Sequence, residues 1–151
     1  MNLINFIKIE IIYLYNNINK LLMLLYHGGT LKKMNNMIEN GFHKPENIQG
    51  DNFGITYGPG LYFALNKNDA LFYSDNNQII EVIINKKLKL LRINPISPNN
   101  KKQKYNLLKK RKKGINNNYD GFIVTYSSNE SEIIIWDPEF IKKEQIKLIT
   151  I

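Results

Sequence analysis

Three short segments of this 151-residue chain gather side chains able to do chemistry. Tyr26-His27-Gly28-Gly29-Thr30 closes one apolar run, and Gly58-Pro59-Gly60-Leu61-Tyr62-Phe63-Ala64 leaves a glycine-dense stretch. Ser131-Glu132-Ile133-Ile134-Ile135-Trp136-Asp137 opens another apolar run with a carboxylate. An imidazole, a phenol and a carboxylate can exchange hydrogen bonds, move a proton and offer an aromatic face. Each also has a plain structural explanation. A strand-end histidine is commonly a hydrogen-bonded surface residue. A tyrosine beside glycine is commonly core, and a glutamate at the edge of an apolar strand is commonly a solvated strand start. The glycines of residues 50–60 match neither a phosphate loop nor a dinucleotide fingerprint.

Composition narrows the field. The chain has no cysteine, which excludes disulfides, thiolate zinc sites and cysteine nucleophiles. Its two histidines, His27 and His43, are too few for a histidine-rich metal site, so no metal is expected. The lack of cysteine fits a reducing compartment, and an intracellular location, cytoplasmic or nuclear, is the expectation. The formal net charge of +8 favours anionic partners. Lys, Asn and Ile are all heavily used, however, and AT-rich coding DNA would produce that bias alone.

The elements that must hold these residues follow from patterning. Leu21 to Tyr26 reads as a buried strand ended by the Gly28-Gly29 turn. Thr30 can cap a helix over about residues 31–40, with Leu31, Met34, Met37 and Ile38 at helical spacing and Gly41 as the stop. Residues 43–60 read as a long loop, the kind that often carries function. Leu61 to Ala64 reads as a short strand, followed by a helix capped by Asn66 or Asn68. Strands are expected at 78–84, 88–93, 121–126, 132–136 and about 145–151. Residues 99–114 read as a basic, solvated connection between strands. Residues 1–20 form an N-terminal extension expected to be helical. Polar residues such as Lys8, Glu10 and Asn16 interrupt its apolar runs, so neither a membrane span nor a signal peptide is expected there.

Read in order, the three segments resemble the poly(ADP-ribose) polymerase and diphtheria-toxin-like branch of the ADP-ribosyltransferases, the branch named for its histidine, tyrosine and glutamate. Members show a Tyr/Trp-His-Gly turn, a Gly-x-Gly-Ile/Leu-Tyr-Phe-Ala segment and a glutamate-bearing strand. A second tyrosine follows the first by eleven residues, as Tyr73 follows Tyr62 here. The resemblance covers residues 21–151. It implies an α+β domain of two packed, mainly antiparallel sheets with few flanking helices. It also implies NAD⁺ as co-substrate and transfer of ADP-ribose to a protein or nucleic-acid acceptor with release of nicotinamide. Mono-ADP-ribosylation is the expectation, since nothing specifically supports chain elongation.

The same resemblance assigns roles. Tyr62 and Tyr73 would stack on the cationic nicotinamide. Gly28 would let its backbone approach the carboxamide, with Thr30 also on NAD⁺. His27 would donate a hydrogen bond to a hydroxyl of the adenosine ribose. Glu132 would hold the 2′-hydroxyl of the nicotinamide ribose and stabilise an oxocarbenium-like transition state. His27, Tyr62 and Glu132 thus form the expected catalytic set. Two positions depart from the pattern. Gly29 stands where the family usually has Ser or Thr, and Ala70 stands where a serine commonly holds the carboxamide. Glu130 completes a Glu-x-Glu like that of the arginine-modifying toxins, but those begin with an arginine in place of Tyr-His-Gly, so Glu130 reads as incidental.

The basic segment Lys101 to Lys113 can be read as a contact for phosphates or an acidic acceptor, as a nuclear import signal, or as a merely solvated loop. Two other functions stay open: a non-catalytic binding module of the same fold for NAD⁺, ADP-ribose or nucleic acid, and an NAD-dependent RNA 2′-phosphotransferase. The latter relies on further arginines, and only Arg92 and Arg111 are present.

Overall fold

The computed structural model describes residues 23–44, 56–127 and 130–151. The expected N-terminal helix and most of the 43–60 loop lie outside these residues. Seven strands are described: β1 (Met23–His27), β2 (Leu61–Ala64), β3 (Gln78–Ile84), β4 (Leu90–Ile93), β5 (Gly121–Thr125), β6 (Ser131–Ile135) and β7 (Ile146–Thr150). Three helices join them: α1 (Leu31–Asn40), α2 (Lys67–Phe72) and α3 (Lys101–Asn116). The chain is therefore α+β, as the sequence implied.

The strands lie in the order β4-β5-β6-β2-β1-β3-β7. Only β4 and β5 run parallel among the described pairs, and α3 is the crossover that parallel strands require. Among the described residues the strands form one hydrogen-bonded order. Its centre is nevertheless weak. β1 and β2 share a single pair, Tyr26 with Ala64, whereas β1–β3 and β5–β6 each run through five. Two half-sheets meet at one rung.

Strand alternation sorts the core into two faces. Leu25, Phe63, Ile80, Val82, Ile133 and Ile135 point to one face, where Met34, Met37 and Ile38 of α1 cover them. Phe122, Val124, Ile134 and Trp136 point to the other, beneath Leu107 of α3. Tyr26 and Ile79 share that second face with Ala70 of α2. Thr30 Oγ1 accepts from Lys33 N and starts α1, and Asn66 Oδ1 accepts from Asp69 N and starts α2. Both caps satisfy amides that the first helical turn leaves free.

The basic connection is the main correction. Residues 101–116 form a helix of 16 residues rather than a loop. Asn100 caps it by accepting from Gln103 N at 3.0 Å, and Gln103 reaches back to Ser97 N at 2.9 Å. Lys, Gln, Leu and Arg are good helix formers. The like charges hid that propensity in the sequence.

Gly114 sets how closely α3 can sit on the sheet. A Cβ built there would lie 2.6 Å from the Trp136 ring and 2.7 Å from Leu91 Cδ1. Helix propensity alone favours Gly114→Ala by about 1 kcal/mol. Overpacking against the rigid indole costs about 1–3 kcal/mol. The two together leave a net destabilisation of up to about 2 kcal/mol, read as a lower denaturant midpoint. An unchanged or higher midpoint would contradict this packing.

Candidate active site

The weak rung between β1 and β2 opens a cleft of about 850 Å³, within the usual range of small-molecule sites. His27, Gly28, Tyr62, Tyr73 and Glu132 all line it. By alternation His27 belongs with Leu25 on the α1 face, while Tyr62 and Glu132 belong with Ile134 on the opposite face. A continuous sheet would separate these side chains. Here the half-sheets part beyond Tyr26 and Ala64, and both faces reach one cavity.

His27 bridges the parting. Its Nδ1 lies 2.7 Å from the carbonyl oxygen of Tyr62. A carbonyl can only accept, so Nδ1–H donates and Nε2 is left as an acceptor toward the cleft. Burial is the main cause holding the imidazole pKa below its ordinary value, and nearby Lys33 acts in the same direction. The ring is therefore neutral at pH 7. In this tautomer Nε2 carries a lone pair and can accept a hydrogen bond.

Gly28 is required by packing. A Cβ there would fall 1.8 Å from the carbonyl oxygen of Ala70, deep inside contact distance. The end of α2 thus presses against the His-Gly turn, which puts Tyr73, the residue capping that helix, over the cleft. Tyr73 is 67% exposed and Phe72 beside it 84%, the two rings meeting edge to face. Two aromatic faces are therefore open to a flat ligand. Thr30 is placed differently. Its hydroxyl caps α1, and it lies outside the lining of the cleft. At Gly29 a Cβ would make ordinary contact with His27 Nε2 at 3.7 Å, so there is room for a side chain.

Tyr62 is fixed through its hydroxyl. It donates to the Gly58 carbonyl at 2.8 Å and accepts from Tyr57 N at 3.1 Å. Burial drives its pKa well above the ordinary phenol value, so the hydroxyl stays protonated at neutral pH.

Glu132 pairs with Ala64 and Val124 in the sheet. Its Oε2 accepts from Tyr126 Oη at 3.0 Å, and Tyr126 Oη lies 2.8 Å from Tyr57 Oη. With Tyr126 donating to the carboxylate, Tyr57 donates to Tyr126. The same Tyr57 holds Tyr62 through its backbone, so one residue ties the aromatic wall to the carboxylate. Burial raises the Glu132 pKa, and the Tyr126 hydrogen bond opposes that rise. Neither Tyr57 nor Tyr126 was anticipated as a site residue. The alternation Phe122, Val124, Tyr126 already puts Tyr126 on the Glu132 face and is the signal that could have revealed it. Glu130, expected to be incidental, also lines the cleft.

Among the described residues, no group of three or more His, Asp or Glu side chains is placed to hold a metal, and no helix is long and apolar enough to cross a membrane. The arrangement suits a hydroxylated ligand with a cationic aromatic part: a hydrogen-bond acceptor, two open rings, and a carboxylate in the same cleft.

Tyr126→Phe removes the hydrogen bond that stabilises the charged form of Glu132. The Glu132 pKa is then expected to rise further, so the carboxyl stays protonated to a higher pH. Carbon-13 NMR titration of labelled glutamate reads this directly, and an unchanged or lower value would remove Tyr126 from this role.

Curated proteins give no sequence match to the chain. A family profile does: the poly(ADP-ribose) polymerase catalytic domain matches residues 8–132, a span that contains β1, β2, α2 and the cleft residues through Glu132. With the family covering most of its length, this chain belongs to the poly(ADP-ribose) polymerase catalytic domain family.

Proposed function

We propose that the protein transfers single ADP-ribose units from NAD⁺ to a macromolecular acceptor and releases nicotinamide. The observation that carries this reading is the convergence of His27, Tyr62, Tyr73 and Glu132 on one cleft. The family supplies the general chemistry, ADP-ribose transfer from NAD⁺.

In this reading the nicotinamide ring lies against Tyr62 and Tyr73, whose faces attract its positive charge. The backbone of Gly28 meets the carboxamide. His27 Nε2 accepts from a hydroxyl of the adenosine ribose. Glu132, held by Tyr126, accepts from the 2′-hydroxyl of the nicotinamide ribose. The bond from the ribose C1′ to the pyridinium nitrogen breaks, and its electron pair leaves with nicotinamide, which becomes neutral. Positive charge then builds on C1′ and the ring oxygen, and the Glu132 carboxylate stabilises it. The acceptor attacks C1′ and loses a proton. Glu132 must be ionised for this, which is why its hydrogen bond from Tyr126 matters.

Transfer from labelled NAD⁺ tests the reading. Glu132→Ala is expected to lower kcat by about 10²–10³-fold, the usual loss for one preorganised electrostatic group. Calorimetry should show NAD⁺ affinity within a few-fold of the parent. No turnover by the parent protein would refute transfer, and NAD⁺ binding without turnover would favour the non-catalytic module.

A second prediction follows from the space at position 29. Gly29→Ser places a hydroxyl beside His27, where the resembled family carries one. NAD⁺ is expected to bind about 2–10-fold more tightly, the equivalent of one net hydrogen bond. Weaker binding would show that this turn holds the ligand in another way.

A further inference from the structure

The positive charge of this protein is concentrated in one element. The whole chain has 21 Lys and Arg against 13 Asp and Glu. Helix α3 carries eight of those cations, Lys101, Lys102, Lys104, Lys109 to Lys113 with Arg111 among them, and no acid. Without α3 the remainder has 13 of each sign (21 less eight), so the entire net charge of +8 resides on a single helix. A compositional bias toward lysine would raise the charge everywhere and does not account for this.

The cations are arranged as well as concentrated. Leu107 and Gly114 point into the core, and Arg111 turns inward over the Trp136 ring at 5.7 Å. Lys101, Lys102, Lys109, Lys112 and Lys113 are exposed, and helical spacing lines them along the outward face. At 1.5 Å per residue this stripe runs for about 18 Å. Lys109 Nζ stands 4.5 Å over the ring of Tyr105 in its middle, which steadies the ammonium. Among the described residues the ion pairs are Lys44–Asp137 and Lys86–Asp120, and neither involves α3.

This arrangement works against the helix itself. Lys109–Lys112, Lys110–Lys113 and Lys109–Lys113 are like charges at adjacent turns and repel. Lys101 and Lys102 stand at the positive end of the helix dipole, where acids are favoured. A rigid row of unpaired ammonium groups, spaced along an element that they destabilise, is complementary to an equally regular row of negative charge. We propose that the outer face of α3 is a docking surface for the phosphate backbone of a nucleic acid, bound without regard to base sequence. This does not depend on the NAD⁺ reading, since the surface lies on an element outside the cleft lining.

Fluorescence anisotropy with labelled duplex and single-stranded oligonucleotides, in the absence of NAD⁺, tests the proposal. The parent protein is expected to bind different sequences alike, with log K falling linearly with log salt. Replacing Lys101, Lys102, Lys109 and Lys113 together by Gln should weaken binding at least about tenfold and flatten the salt slope by about one for each lysine on a phosphate. Replacing Lys32, Lys87, Lys142 and Lys147 by Gln removes the same charge elsewhere and should change affinity only a few-fold. Glutamine is a good helix former, and circular dichroism should show both variants folded with the α3 variant no less heat-stable than its parent. The salt slope of the parent protein is a second measurement that needs no variant. Equal losses in the two variants would overturn the proposal by reducing it to overall charge. Absence of binding at low salt would overturn it outright. Competition by polyglutamate as effective as by an oligonucleotide of equal charge would reassign the face to acidic proteins.

Discussion

The architecture depends on how one sheet is allowed to part. A seven-stranded ladder with ordinary pairing would keep His27 on one face and Tyr62 with Glu132 on the other. At the junction of β1 and β2, backbone pairing is reduced to Tyr26 and Ala64, and the His27 side chain crosses the gap to the Tyr62 carbonyl. That bond fixes the imidazole tautomer, orients its free nitrogen and keeps the two halves at a set distance. An ordinary rung would hold the strands together equally well and leave no cleft. The imidazole both joins the halves and serves the cavity between them.

Around this junction the parts of the site hold one another. Gly28 admits the Ala70 carbonyl, so the turn after β1 and the end of α2 are in contact, and Tyr73 follows from that contact. Tyr57 gives its backbone amide to Tyr62 and its hydroxyl to Tyr126, which in turn gives its own to Glu132. Two networks therefore converge on the cleft from opposite halves. Each contains backbone groups whose positions packing already fixes, which is how preorganisation is obtained without long flexible side chains.

Much of this was legible in the residues. β1, α1, β2, α2 and β3 were readable because each has a clean apolar period and a punctuating Gly, Thr or Asn. His27, Tyr62, Tyr73 and Glu132 stood out as a set by their order and spacing, where single residues said little, and the four line one cleft. What escaped was of two kinds. Which His27 nitrogen meets the Tyr62 carbonyl is set by a contact 35 residues away, and sequence carries no trace of that. Helix α3 escaped because its charges read as a solvated loop, while the features that fold it, Asn100, Leu107 and Gly114, are sparse and widely spaced. Thr30 was legible from its local sequence alone, its hydroxyl accepting from Lys33 N to start α1.

The single rung has a mechanical meaning too. A sheet joined along five pairs resists bending everywhere, whereas this one concentrates its compliance at two residues. A molecule that touches His27 from one half and Tyr62 and Glu132 from the other supplies the crosslinks that the backbone omits. Filling the cleft and stabilising the domain are thereby coupled, because a molecule that binds only the folded state raises its stability by RT ln(1 + [L]/Kd).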